Sequence, residues 1–248
     1  MSERPRLSAI LITRDEAADL PECLASLAFC DEIVVVDSGS TDATVDIARG
    51  AGARVAVTED WPGFGPQKQR ALELASGDFV LSIDADERIP ADLAAEIRAA
   101  IGRGDLAGWR INRRSTFLGR FLLHGGWYPD RILRLARRDA ARFTPDRVHE
   151  RLEVTGPVGD LVADMIHHSY RSIDEVLDKG RRYALASAAE RRARGKRGGL
   201  LAAILRAKWA FLRHYLLKQG FRDGRHGFVA ALAKAQETFW RWLAVGWE

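Results

Sequence analysis

The chain has 248 residues, 47% hydrophobic and 29% charged, with a formal net charge of +4. This length suits one large domain or a domain with an appendage, and the composition excludes disordered and collagen-like classes. Cys23 and Cys30 show neither metal-type spacing nor a disulfide framework. With no secretory leader and no stretch of ~18 uncharged apolar residues, a cytoplasmic protein is expected.

Along the first hundred residues, two periodicities alternate. Residues 7–13, 32–37, 53–58 and 78–84 are short apolar runs rich in β-branched residues, the pattern of strands covered on both faces. Helical patterns lie between and after them, at 16–27, 41–51, 66–77 and 90–101. Ser40 or Thr41 is placed to cap the second, Gly50 and Gly52 to end it, Gly77 to end the third, and Pro90 to open the fourth. This alternation predicts an α/β fold with a mostly parallel central sheet and flanking helices. Between 108 and 170 the pattern becomes short strands with irregular Gly-, Trp- and Pro-rich links, suited to antiparallel pairing. From Ser172 onward the chain reads as helices broken at Gly198-Gly199 and between Gly220 and Gly227. The expected division is a domain over 1–170, with halves at about 1–105 and 106–170, and a helical extension over 171–248.

In open parallel sheets, ligands bind beyond the carboxyl ends of the strands. All four strand ends here carry acids: Asp15 and Glu16, Asp37, Glu59 and Asp60, then Asp84, Asp86 and Glu87. Asp84 and Asp86 project to one side of an extended segment, about 6–7 Å apart, close enough to share a cation. A hard ion such as Mg²⁺ or Mn²⁺ takes oxygen ligands and completes its shell with substrate phosphate, which would relieve the repulsion among these carboxylates. Glu87 is read as the start of the next turn. Asp37, followed by the tight turn Ser38-Gly39-Ser40-Thr41, can accept hydrogen bonds from ribose or a base. No Gly-x-Gly-x-x-Gly follows the first strand and no Gly-Lys-Ser/Thr is present, so dinucleotide and P-loop readings fail. An aspartyl-phosphate mechanism on Asp37 and a non-catalytic nucleotide-sugar-binding scaffold remain as alternatives.

Taken together, AILITRDEAADLPECLASL, EIVVVDSGSTDATVDIA, GFGPQKQRALELASGDFVLSIDADERI, GGWYPDRILRLARR and VHERLEV resemble inverting family 2 glycosyltransferases of the GT-A fold. More narrowly, they resemble the WaaE/KdtX-type glucosyltransferases of lipopolysaccharide core assembly. The resemblance spans nearly the whole chain. One departure is Asp15, where many relatives carry Asn. The resemblance implies a UDP-sugar donor, a hexose (glucose in that subgroup), a lipid-linked glycan acceptor and a Mg²⁺ or Mn²⁺ cofactor. Thr13 and Glu16 would line the nucleotide pocket, with Asp37 on the uracil–ribose portion. Lys68 would reach the nucleotide, Asp84 the ribose or the metal, and Asp86 the metal. An acidic base must take the acceptor proton. Glu150 occupies the position of the family's acidic motif, and Asp130 is the second candidate. Trp127 and Tyr128 are candidates for a stacking floor under a sugar, or else core aromatics. His149 is a candidate contact to phosphate or acceptor, and His167 and His168 are later ones.

The C-terminal region is basic. Between Arg191 and Arg225 lie eleven Lys or Arg residues and one acid, Asp223. Leu201, Leu205, Trp209, Leu212 and Leu216 recur at helical spacing. This suits either an interfacial helix on the anionic inner-membrane surface or a helix packed on the domain or on a second subunit, which leaves a homo-oligomer open. Nucleic acid is not expected, since no motif for it is present.

Overall fold

The structure, a computed structural model, describes residues 4–146 and 150–247. It divides into two compact units. The first comprises Met1–Arg113 and Arg131–His167, the second Arg114–Asp130 and His168–Glu248. Residues 114–130 thus group with the C-terminal helices.

The first unit opens with β1 (Leu7–Thr13), α1 (Leu20–Ser26), β2 (Glu32–Asp37), α2 (Thr44–Gly50), β3 (Arg54–Val57), α3 (Phe64–Leu74) and β4 (Phe79–Ser82). The two-residue β5 (Glu87–Arg88) and α4 (Ala91–Arg103) follow, then β6 (Gly108–Phe117), whose last residues pair with the short β7 (Arg120–Phe121) of the second unit's 114–130 segment. β8 (Arg131–Arg137) and β11 (Val158–Tyr170) complete the main sheet, and β9 (Ala141–Phe143) and β10 (Leu152–Val154) form a separate antiparallel pair. The strand order is β3-β2-β1-β4-β8-β6-β11-β5. Pairing is parallel from β3 through β4 and antiparallel from β4 to β8 and β8 to β6. The α/β expectation therefore holds, with the antiparallel strands in the later half.

Period-two burial explains the apolar runs. Leu7, Ala9 and Leu11 of β1 pack on the side of α1 and α4, with Leu20, Leu93 and Ile97. Ile10, Val34, Val36 and Val80 face the other way, onto Ala71 and Leu72 of α3. With both faces covered, the strands leave their carboxyl ends as the open rim. Two expected punctuation marks act differently. Neither Ser40 nor Thr41 caps α2, which starts at Thr44; both bind neighbouring loops instead. Gly77 lies beyond the end of α3, where a Cβ would fall 2.7 Å from Ser8 Oγ, so glycine there serves the close approach of two segments.

The second unit combines residues 114–130 with α5 (Ile173–Ala193), α6 (Leu200–Leu212) and α7 (Gly224–Trp247). Its core joins Phe117, Leu122, Val176 and Ala230, with Trp127 and Tyr170 packed against it. Ser172 caps α5 by accepting the Glu175 amide. Among the described residues, no helix is long and apolar enough to cross a membrane.

The start of α3 is held by backbone contact. The Gly65 amide donates to Asp146 O at 3.1 Å, and a Cβ at this position would lie 2.0 Å from Thr144 O. Gly65→Ala must displace one of the two segments, an overpacking effect of about 1–3 kcal/mol. We expect a lower calorimetric Tm for this variant, while Gly102→Ala, with open space around its Cβ position, stays within experimental error of wild type or above it.

Candidate active site

Two clusters assemble at the carboxyl rim of the first unit. The first lies at the ends of β1 and β2, where Thr13 pairs with Asp37 in parallel register. Asp37 is fully buried. Its Oδ2 accepts from Thr13 Oγ1 at 2.9 Å and from Ser40 Oγ at 2.5 Å, and its Oδ1 accepts the Ser40 amide at 2.8 Å. Asp15 has φ 56, the left-handed region that Asn and Asp tolerate best among non-glycine residues. It accepts the Thr41 amide at 2.7 Å and donates its own amide to Ser40 Oγ at 2.8 Å. The two loops are thereby tied together. Glu16 donates its amide to Thr44 Oγ1 at 2.7 Å, and its carbonyl receives the Asp19 and Leu20 amides at the entry to α1. Gln67 of α3 adds Nε2 bonds to Ser38 Oγ at 3.0 Å and Thr58 Oγ1 at 2.7 Å. Arg70 pairs with Asp60 at 2.7 Å, a local surface contact. An aspartyl-phosphate role for Asp37 does not stand, because its carboxylate is sealed from solvent and both oxygens are engaged.

The second cluster surrounds Asp84, just past β4. Lys68 Nζ, projecting from α3, lies 3.0 Å from Asp84 Oδ1 and 2.9 Å from Glu150 Oε1. Arg134 of β8 reaches Asp84 Oδ2 at 2.6 Å and Glu87 Oε1 at 2.7 Å. Arg113 of β6 lies 3.5 Å from the same Glu87 oxygen. Glu87, read from the sequence as the start of the next turn, begins the two-residue β5 and has a larger role. Its carboxylate is fully buried, receives the Asp84 amide at 3.0 Å and anchors Arg134. Burial alone would raise the Asp84 pKa, but attraction to Arg134 and Lys68 and their hydrogen bonds outweigh it, holding the carboxyl well below the usual carboxylate range. Arg134 shifts the other way: burial would lower its pKa, but Asp84 and Glu87 raise it.

Lys68, Asp84, Arg113, Arg134 and Glu150 line a cavity of about 380 Å³ that also includes Ser82, Arg131 and Arg151. Its wall holds five Lys or Arg residues against Asp84 and Glu150, a surplus that suits a polyanion such as a diphosphate. Ser82 Oγ and Arg134 Nε are buried without a hydrogen-bond partner among the described residues, so polar capacity is left over. Asp86 stands apart from the cations, with Oδ2 3.3 Å from His167 Nε2. β11 pairs with β5 so that His167 lies opposite Glu87.

Asp130, Trp127 and Tyr128 belong to the second unit. Trp127 packs edge-on against Phe117 and Tyr170, with ring centroids 5.5 and 6.0 Å away. His149 lies outside the described residues. Sequence reasoning missed Arg113, Arg134 and Gln67. The signal for Arg134 was its place inside the apolar strand Ile132-Leu133-Arg134-Leu135-Ala136, where an unpaired charge would be prohibitively unfavourable.

Cys23 is buried, its thiol pushed up to about 12 mainly by that burial, which leaves it unreactive near neutral pH. The depressed Asp84 pKa has a thermodynamic signature. Between its folded value and the ordinary value of about 3.9, the unfolded chain binds more protons, so stability rises with pH through that window and is lost as pH falls. Denaturant unfolding at a series of acidic pH values should show a smaller loss per pH unit in Asp84→Asn than in wild type. Identical slopes would detach Asp84 from the ion-pair cluster.

With this geometry in hand, comparison with known proteins gives a consistent result. Residues 8–149 match the model of Glycosyl transferase family 2. The lipopolysaccharide core biosynthesis glycosyltransferase LpsC of Rhizobium meliloti is 34% identical over 245 residues, covering 94% of this chain and 89% of the relative. An uncharacterized glycosyltransferase of Rickettsia prowazekii is 28% identical over 252 residues, covering 95% and 85%. Among solved structures, S. aureus TarS 1-349 superposes with a TM-score of 0.50 at 18% identity, covering 96% of this chain and 89% of that one, a likeness of fold. The chain adopts the GT-A fold and belongs to glycosyl transferase family 2; it is a glycosyltransferase.

Proposed function

We propose that the enzyme transfers a hexose, with glucose as first choice, from a UDP-sugar to a lipid-linked glycan acceptor of the lipopolysaccharide-core type, inverting the anomeric centre with a divalent cation. The observation that carries this reading is the bridge from Asp84 through Lys68 to Glu150 across a cation-rich cavity. It puts a candidate base beside a candidate diphosphate cradle. The core-type acceptor follows from the sequence resemblance and from the relative LpsC.

In this reading Thr13, Glu16 and the loops tied by Asp15 and Asp37 receive the nucleoside. Lys68, with Arg113 and Arg134 behind it, takes up the negative charge that grows on the diphosphate. Glu150 accepts the proton of the acceptor hydroxyl as its oxygen bonds to the anomeric carbon. The sugar–phosphate bond breaks with its electron pair leaving on UDP, and a single displacement inverts the centre. Asp130 is the alternative base.

The residues present fit a divalent ion with one change from the sequence expectation. Both oxygens of Asp84 are committed to Lys68 and Arg134, so the holding pair is Asp86 and His167. A carboxylate beside an imidazole favours Mn²⁺ over Mg²⁺. No group of three or more His, Cys, Asp or Glu suited to a metal occurs among the described residues, so substrate oxygens and water must fill the other positions. When bound, the ion would neutralise charge on the departing diphosphate.

The test is UDP release from UDP-glucose with Mn²⁺ or Mg²⁺, with and without a core-oligosaccharide acceptor. Acceptor-dependent release is expected, and release indifferent to acceptor would overturn the transfer. Glu150→Gln should lower kcat by roughly 10²–10⁴-fold with little change in donor KM; a comparable loss in Asp130→Asn instead reassigns the base. In Asp86→Ala, Mn²⁺ should no longer stimulate turnover, and wild-type stimulation there would remove the metal assignment.

A further inference from the structure

Outside the site, the second unit carries an unusual surface. Leu201, Leu205, Trp209 and Leu212 of α6, and Leu216 in the helical segment Arg213–Leu217 that follows it, are each 44–71% exposed, and the buried position of α6 is Ala203. The stripe read from the sequence therefore faces outward. On α7, Phe228, Leu232, Trp240 and Trp247 are 43–76% exposed and share one arc of the helix at steps of four, eight and seven. Gly227, Ala231, Thr238, Trp242 and Val245 occupy the buried arc. The two stripes meet, since Leu212 and Leu232 line the same cleft of about 410 Å³ between α6 and α7. A second cleft of about 550 Å³ joins α7 to α5 through Trp240, Trp247, Leu177 and Leu185. Three helices thus present exposed large apolar side chains along two adjoining clefts, a grouping that marks interaction surfaces on soluble proteins.

We propose that this face is a lipid-docking platform that seats on an anionic leaflet, with its side chains in the boundary between headgroups and acyl chains. Charge argues for lipid over a second copy of the chain. No acid occurs from Leu200 to Lys218. The one acid between Arg191 and Arg225, Asp223, is buried and accepts the His124 amide at 2.8 Å, with His124 Nδ1 2.9 Å from its other oxygen. The exposed charge of this stretch is therefore cationic, which attracts anionic headgroups and repels an identical surface. Three exposed indoles, Trp209, Trp240 and Trp247, supply the residue type that settles at the membrane–water boundary. The inference stands on unit-two geometry and does not depend on the transfer reaction, although a lipid-linked acceptor would make it useful.

The experiment is co-sedimentation of the full chain with phosphatidylethanolamine vesicles with or without phosphatidylglycerol, alongside light scattering without lipid. Binding should require phosphatidylglycerol, weaken with salt and shift tryptophan emission to the blue. The double variant Leu205→Ser/Trp209→Ser should bind at least about tenfold more weakly, with an unchanged circular dichroism spectrum and unchanged UDP release on a water-soluble acceptor. Arg213→Gln/Lys218→Gln should reduce the salt dependence. Absence of vesicle binding overturns the platform, as does a dimer that the Leu205→Ser/Trp209→Ser variant dissolves. Vesicle binding without sugar transfer would leave the platform standing while the catalytic reading falls.

Discussion

The structure depends most on the requirement that charges gathered at the buried rim of a parallel sheet be neutralised in place. Glu87 has no exposed surface, and a buried carboxylate without partners is strongly unfavourable. Arg134 answers it from β8, the antiparallel neighbour of β4, and extends the neutralisation to Asp84. Lys68 continues it from Asp84 to Glu150. One chain of alternating charges thereby links β4, β5, β8, α3 and the segment before β10. It is a structural clamp and, on the same atoms, the wall of the candidate site.

The clamp also sorts the two aspartates of Asp84-Ala85-Asp86. Neighbours in sequence, they differ in company: Asp84 faces Lys68 and Arg134, Asp86 faces His167. Two cations hold Asp84, whereas Asp86 has an imidazole beside it. The difference comes from what β8 and β11 bring opposite the motif. The acid cluster at β1 and β2 behaves differently. There the partners of Asp37 and Asp15 are hydroxyls and amides, so these acids shape loops and leave the cationic work to the β4 rim.

The tail solves another problem with the same composition. Its helices bury small residues such as Ala203, Ala231 and Ala235, with Trp242 among them, and leave most of their Leu and Trp side chains outside. Small buried positions let helices approach closely while providing little hydrophobic gain. The large apolar side chains therefore stay on the surface of the second unit.

Much of the fold was legible in the residues. Strand runs such as Glu32–Asp37 and helix patterns such as Ala91–Arg103 follow from period and burial, which act over a few neighbours. The rim position of Thr13, Asp37, Asp84 and Asp86 follows equally, because a strand covered on both faces can expose polar groups only at its end. Lys68 and Glu150 were named, but the ion pairs that join Lys68 to Asp84 and to Glu150 span separations that no local pattern encodes. Arg113, Arg134 and the burial of Glu87 escaped because their roles depend on strand register, set by pairing between segments about fifty residues apart. The outward stripe on α6 was visible as a stripe, yet periodicity only says that residues share a face. Sequence alone therefore determined the α/β alternation, the acid rim and the amphipathic tail, all properties of nearest neighbours along the chain. Tertiary structure decided which acid meets which cation and which apolar face stays uncovered, because both depend on distances that exist only once remote segments are packed.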